Sequence, residues 1–448
     1  MKVKRAGRSV NVKVTTDGAG LVSHAGTALF AEVADTLGLT RALSQRLAPV
    51  KQRRRGHDPG RVIRDLAVML VDGGHSVSDL GVVREQQALF GEVASDSTAY
   101  RLIEKIGSDP DLIDALRSAH AAARERFWDL HGAPESLTID VDATLVTTHS
   151  EKENATGNYK GGFGFHPLQA YADETREALG GLLRPGNAGS NTAADHETVL
   201  DRALCQIPVA HLEDLDILVR CDCAGATHGL VEHCREHGMR FSVGLAATEA
   251  LRDAIAQIPS NAWVCALDSD GSARDNGEVV EVGGLDLSAW PEGSRVICRR
   301  ERPHPGAQLS FADSEGHRLQ AILTDQTDAD IAVIECRHRA HAHVEDRIAD
   351  DKDTGLSRFP FKAFALNEVW LQIVALAHDL IVWTQALALD GQLAKAQPRR
   401  LRYQLLHVAG RLAFSGRAAK LHLQSGWPWG QQLIAAFAKL DGLKAAPG

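Results

Sequence analysis

The chain has 448 residues, 44% hydrophobic and 24% charged, which excludes a disordered, fibrous or disulfide-stapled protein and leaves room for about two to four domains. Seven cysteines, an odd number with no CxxC spacing, argue against a disulfide framework or a cysteine zinc site and read as buried thiols. The net charge of −9 argues against a nucleic-acid partner until its distribution is seen: residues 391–448 carry nine basic side chains against one acid, net +8, leaving −17 elsewhere.

In chain order, MKVKRAGRSVNVKV is basic and lacks the apolar core of a secretory signal, so a cytoplasmic protein is expected. From about residue 25 to 130, ALFAEVADTLGLTRAL, GRVIRDLAVMLV, VSDLGVVREQQALF, STAYRLIEKI and LIDALRSAHAAARERFWDL place apolar residues at three- and four-residue intervals, which predicts helices. Gly73-Gly74 and the SDS at Ser95 to Ser97 punctuate them, the latter as a helix cap. Residues 1–130 are therefore expected to form a mainly helical domain. A plain packing bundle is one reading of it. The adjacent KQRRR, with Arg53, Arg54 and Arg55, tilts it towards DNA.

From about Glu135 the pattern alternates. SLTIDVDATLV, HPLQAYAD and EALGGLLRPG are extended, then come the helix HETVLDRALCQI, the strand DILVRCD, the helix GATHGLVEHCREHG and the strand RFSVGL. A three-stranded meander followed by parallel α/β units describes an RNase H-like fold, although other α/β sheets share this periodicity. Residues 246–336 (WVCAL, GEVVEVGGLDL, SRVICRR, AQLSFADSEGHRLQAIL, DIAVIECRH) read as mostly strand, a β-rich insertion dividing an α/β domain of residues 131–245 and 337–390. VWLQIVALAHDLIVWTQALAL, from Val369, is broken by Gln372, His378 and Asp379 and reads as a buried helix; no membrane partner is expected. Residues 391–448 are expected to be helical and basic, with Arg399 and Arg400 offered to DNA. CRRER and RHR, at 298–302 and 337–339, are further basic runs, each a solvated surface or part of a DNA track.

Four acids stand out. Asp140 and Asp142 lie two apart on a predicted strand, hence on one face; Asp222 ends another strand, before Gly225; Glu345 opens a predicted helix. Phosphodiester cleavage is helped by two divalent ions about 3.5–4 Å apart, and carboxylates are the hard ligands that hold them. Lys352 follows Glu345 by seven residues, two helical turns or about 10 Å along the axis, where an ammonium could meet a phosphate. A charged surface helix is the plain alternative.

These segments resemble the DDE transposases of bacterial insertion sequences. TIDVDATLVTTH, YKGGFGFHPLQAYAD, LLRPGNAGSNTAADH, VRCDCAGATHG, AHVEDRIADDKDTGL and RFPFKAFALNEVWL recur in the order found in one group of them, and the likeness runs from about Asp96 to Trp383. In that group the third acid belongs to a pattern of Tyr, two residues, Arg, three residues, Glu, six residues, Lys. Glu345 and Lys352 match it, whereas His338 and His341 stand in the Tyr and Arg places.

The resemblance implies a triad of Asp142 or Asp140, then Asp222, then Glu345. Asp142 with Thr144 fits the usual Asp-x-Thr placing, so Asp142 is favoured. It implies two Mg²⁺ ions, with Mn²⁺ as a substitute, and Lys352 near the cleaved phosphate. His149 and His166 are candidates for DNA contact or for satisfied structural histidines. It further implies binding to the terminal inverted repeats, cleavage and strand transfer into target DNA by cut-and-paste transposition, and a homodimer bridging both ends. SLTIDVDATLV also satisfies the hhhhDxDxTLh pattern of haloacid-dehalogenase-type phosphatases, with Asp140 as nucleophile and Asp142 as general acid/base. That family wants a later acidic pair, which VRCDCAGATHG does not supply. A catalytically silent DNA-binding relative is the third reading.

Overall fold

The computed structural model describes residues 2–5, 8–51, 56–148, 151–302, 313–314, 316–416 and 418–445. The helical part begins with α1 (Ala28–Thr36), α2 (Leu39–Arg46), α3 (Pro59–Val71), α4 (Asp96–Gly107) and α5 (Pro110–His131). Short polar side chains start the longer three. The Asp58 carboxylate accepts from the Arg61 amide at 3.0 Å with Pro59 in the first turn, Ser95 accepts from Thr98, and Asp109 accepts from Asp111 before Pro110.

Ten strands form one mixed sheet. They are β1 (Ser136–Ala143), β2 (Leu168–Ala172), β3 (Ala178–Leu182), β4 (Asp216–Cys221), β5 (Arg240–Leu245), β6 (Val264–Leu267), β7 (Ala273–Glu281), β8 (Arg295–Glu301), β9 (Asp313–Ser314) and β10 (His317–Thr324). Their order is β6-β7-β8-β10-β5-β4-β1-β2-β3, with β9 on β10. β1, β2 and β3 run as an antiparallel meander, while β4 is parallel to β1 and β5 parallel to β4. The helices α6 (Ala193–Leu204) and α7 (His228–Glu236) lie in the connections that lead into β4 and β5. Leu137, Ile139 and Val141 bury one face of β1, as a central strand requires.

Beyond β5 the strands of residues 246–336 continue the same sheet, because β10 pairs antiparallel with β5. DIAVIECRH, expected as strand, is instead the helix α8 (Ile331–Arg339). A short β-branched run is ambiguous between the two states. Here Asp330 caps the Ala332 amide at 2.9 Å, and Ile334 packs on Ile297 and Ile322 while Ala332 packs on Ala266 and Val279.

α9 (His343–Asp351) and α10 (Phe364–Ala388) follow. By length and composition α10 could cross a membrane, yet 83% of its most apolar window is buried, between α3, α4 and α5 on one side and β3 on the other. Its Asp379 accepts from Arg124 at 2.5 Å, His120 at 2.7 Å and the Ala178 amide at 2.7 Å, and the neighbouring Glu177 accepts from Arg124, Trp128 and Trp383. The charges that interrupt this apolar helix are therefore paired inside the protein.

The segment after residue 391 departs from the expected helices. Gly410–Ser415 and Ala418–Leu423 form a hairpin that adds Leu21–Val22 as a third strand, and only then does α11 (Gly430–Ala445) begin. Two-residue alternation at Leu412 and Phe414, with Gly416 at φ 59°, outweighs the helical reading.

Candidate active site

Three acids distant in sequence lie on adjoining elements: two stand at the ends of the paired strands β1 and β4, and the third opens a helix that packs on β1. Asp142 is the penultimate residue of β1, Asp222 follows β4 directly, and Glu345 sits in the first turn of α9. Burial, together with the like charges of Asp222 and Glu345, pushes Asp142 up to about 6, against the Ala143 amide and His341, which lower it. Asp222 and Glu345 are exposed, so the group opens to solvent. Asp222 also turns the chain: it accepts from the Ala224 amide at 2.8 Å, and at Gly225 a Cβ would lie 2.2 Å from that of Cys221. Only glycine fits there.

Asp140, the other β1 acid, differs from Asp142 in being bound by a buried guanidinium. It is 2% exposed, and both its oxygens accept from Arg220, at 2.8 and 2.7 Å. His341 reaches the same carboxylate at 2.7 Å. Arg220 also donates to Asp173 at 2.7 Å and to the Arg337 carbonyl, and His343 meets Asp173 at 2.9 Å. A guanidinium bound to both oxygens, with His341 on one of them, makes Asp140 the anchor of an ion pair. Its neighbour His338, in the Tyr place of the pattern, bonds Ser242 at 2.9 Å, and burial, with His341 and Arg220 nearby, pushes it down to about 3.

The far end of α9 is held by Asp351, which is fully buried and accepts from Gln169 at 2.9 Å, Tyr171 at 2.6 Å and His378 at 2.5 Å. Helical geometry stops just beyond, at Thr354 and Gly355; Gly355 has φ 111°, and a Cβ there would meet Leu70 at 2.9 Å. Lys352 lies before that break, half-buried. Burial lowers its pKa, while the Asp142 charge acts to raise it and Lys160 to lower it. Lys352 is thus electrostatically within reach of both.

Lys160, in the YKGGFGFHPL segment, was not singled out from the sequence, and neither were Arg220 and Asp173. Arg220 could have been found, since it stands two residues before Asp222. His166 is buried, bonds the Ala188 carbonyl at 3.3 Å, and is lowered by burial and by Arg184 and Lys160. Arg399 pairs with Asp353, next to Lys352, at 2.6 Å, whereas Arg400 bonds Gln404 and Gln392. Arg53, Arg54, Arg55 and His149 lie outside the described residues. Four of the five CRRER and RHR arginines are engaged locally: Arg299 with Glu335, Arg300 with Glu278, Arg337 with Asp328 and Arg339 with Glu335. All seven cysteines are free, but the expected burial holds for Cys221, Cys234 and Cys298 and fails for Cys205, Cys223 and Cys265, which are exposed.

A family model described as Transposase DDE domain group 1 matches residues 4–445. No curated protein matches in sequence. Among solved structures, that of the piggyBac transposase synaptic complex with hairpin DNA is similar at 12% identity and a TM-score of 0.40, over 87% of this chain and 82% of that one.

Proposed function

The chain belongs to the transposases of DDE domain group 1, and on that premise we propose that it is an insertion-sequence transposase that binds its element's terminal inverted repeats and catalyses metal-dependent cleavage and strand transfer. The observation that carries the site assignment is that Asp142 and Asp222 end paired parallel strands, with Val141 opposite Cys221, and that His341, four residues before Glu345, bonds Asp140 on the same strand. The strand order β3-β2-β1-β4-β5 supports an RNase H-like domain over residues 131–245 and 337–390, with 246–336 as its insertion. Residues 1–130 and the basic 391–448 are assigned to DNA, and cytoplasmic action as a homodimer bridging two element ends completes the reading.

The site fits two Mg²⁺ ions, or Mn²⁺ in their place, because its donors are all hard carboxylate oxygens whose mutual repulsion a divalent cation offsets. Asp142, Asp222 and Glu345 would hold the ions. Bound there, they supply activation of the attacking oxygen and stabilisation of the leaving one. The chain's own part is positioning. Lys352 contacts a phosphate beside the scissile bond, and the groups around Asp140 and Asp351 keep α9 against the sheet. A water oxygen attacks phosphorus in line and the bond to the 3′ oxygen breaks; the freed 3′-hydroxyl then attacks a target phosphorus, whose bond to the target's own 3′ oxygen breaks and leaves a target 3′-hydroxyl. The phosphatase alternative is disfavoured, since its nucleophile, Asp140, is buried and bound by Arg220.

The test is cleavage of a labelled duplex carrying the element's end, with Mg²⁺ or with EDTA, by the wild type and Glu345→Gln. Nicking at the element boundary that needs Mg²⁺ and is lost in Glu345→Gln is expected. Binding without cleavage would identify a silent relative, and phosphatase activity indifferent to Glu345 would overturn the reading.

A further inference from the structure

A second cluster of titratable groups lies where the two ends of the chain meet, and it does not rest on the reading of the acid site. His24 precedes α1, Asp72 is the C-cap of α3, and His407 precedes the C-terminal hairpin; one ligand atom from each lies within 4.8 Å of the others. We infer that His24, Asp72 and His407 form a binding site for a late first-row divalent cation, Zn²⁺ in the first instance.

Geometry and donor chemistry carry this. His24 Nδ1 is 2.6 Å from one Asp72 oxygen and His407 Nε2 is 3.4 Å from the other. Ligand atoms around a tetrahedral zinc lie roughly 3.3 Å apart, so the observed separations bracket the required one. The two imidazoles stack at 4.1 Å and 22°. If both were protonated they would repel; a cation that neutralises the carboxylate takes both nitrogens once the rings turn out of this stack and His407 Nε2 leaves the Asp72 carbonyl, now 3.1 Å away. Two imidazoles and a carboxylate suit Zn²⁺ and its neighbours in the series; Mg²⁺ prefers oxygen alone. Three protein ligands leave a fourth position for water.

The supporting shell is present too. The Asp72 side chain is 3% exposed, and Thr27 donates to it at 2.5 Å, which fixes the carboxylate's orientation. The other three-residue group among the described residues, Asp201 with His233 and His237, is more open, with Asp201 58% exposed, and serves as a control. The Ala25 amide bonds the Val408 carbonyl at 3.0 Å, and Val22 pairs with Gly410. An ion at this joint would fasten the hairpin bearing Arg411 and Lys420 to the helical part of the molecule.

The experiment uses the full chain, stripped by a chelator and titrated with Zn²⁺ against a chromophoric competitor. One tight equivalent is expected, retained in Glu345→Gln and in the double variant His233→Gln/His237→Gln. It weakens about tenfold in Thr27→Val, and by about 100-fold or more in His24→Gln or His407→Gln, since residues behind the ligands alone are worth about 10–100-fold. The thermal midpoint should rise with that equivalent in the wild type and in the variants that retain it, and stay unmoved in His24→Gln and His407→Gln. No tight equivalent, or one that survives both histidine substitutions, overturns the site. Should the histidine variants fail to fold, Co²⁺ titration of the wild type decides: four-coordinate d–d bands support the site, and their absence overturns it.

Discussion

Asp140 and Asp142 are separated by one residue on β1, and their surroundings give them different work. Asp140 is an acceptor for Arg220 in a nearly water-free setting, where removing it leaves a buried guanidinium with Asp173 as its one carboxylate. Asp140→Ala should therefore cost about 3–5 kcal/mol of stability, read in denaturant melts. Asp142 instead is raised by burial and like charges, so Asp142→Asn should lift the melt at neutral pH while cutting strand cleavage by about 100-fold or more. A result in which Asp140→Asn abolishes cleavage without loss of stability, and Asp142→Asn spares it, would exchange the two roles. Both acids were visible as candidates in SLTIDVDATLV. Their division of labour was not, because it depends on Arg220 of β4 and on His341, 80 and 201 residues from Asp140.

At the level of elements, α9 matters most, since it carries Glu345 and is gripped at both ends. His341 and His343 tie its start to Asp140 and Asp173, and Asp351 ties its end to β2 and α10. Burial alone would lower His378, but the adjacent Asp351 carboxylate more than reverses this, with help from Asp379 and the Arg176 carbonyl, and raises it to about 9. A histidine raised on folding stabilises the protein fully below its ordinary value of 6.5, and that contribution disappears as pH climbs through 9. The thermal midpoint should fall over that interval, and fall less steeply in His378→Gln. Asp351→Ala should lower both stability and cleavage; a variant that folds with full activity would show that α9 needs no such grip. The Glu345 to Lys352 spacing could be read along the chain. The grip could not, because its partners are at 169, 171 and 378. DIAVIECRH misleads for a related reason: its helix is set by the Asp330 cap and by the sheet face that Ile334 covers.

For the whole molecule, the principal core runs without a break from the N-terminal helices through α10 into the sheet. The proposed DNA-binding and catalytic parts therefore share buried surface. Thermal unfolding followed by tryptophan fluorescence and by far-ultraviolet circular dichroism should give one coincident transition; helices melting well before the sheet would refute that continuity. Periodicity and end signals along the chain were sufficient for the long helices between residues 28 and 131, the meander and the parallel strands, because caps and alternation act between near neighbours. Long-range pairing accounts for the remainder. It is β10 on β5 that makes the insertion an extension of the central sheet, Leu21–Val22 on Gly410 that turns a presumed helical tail into a hairpin, and Arg220 on Asp140 that makes this acid the anchor of an ion pair. Each joins residues far apart in sequence, and no local propensity encodes which partner a strand edge or a buried carboxylate will find.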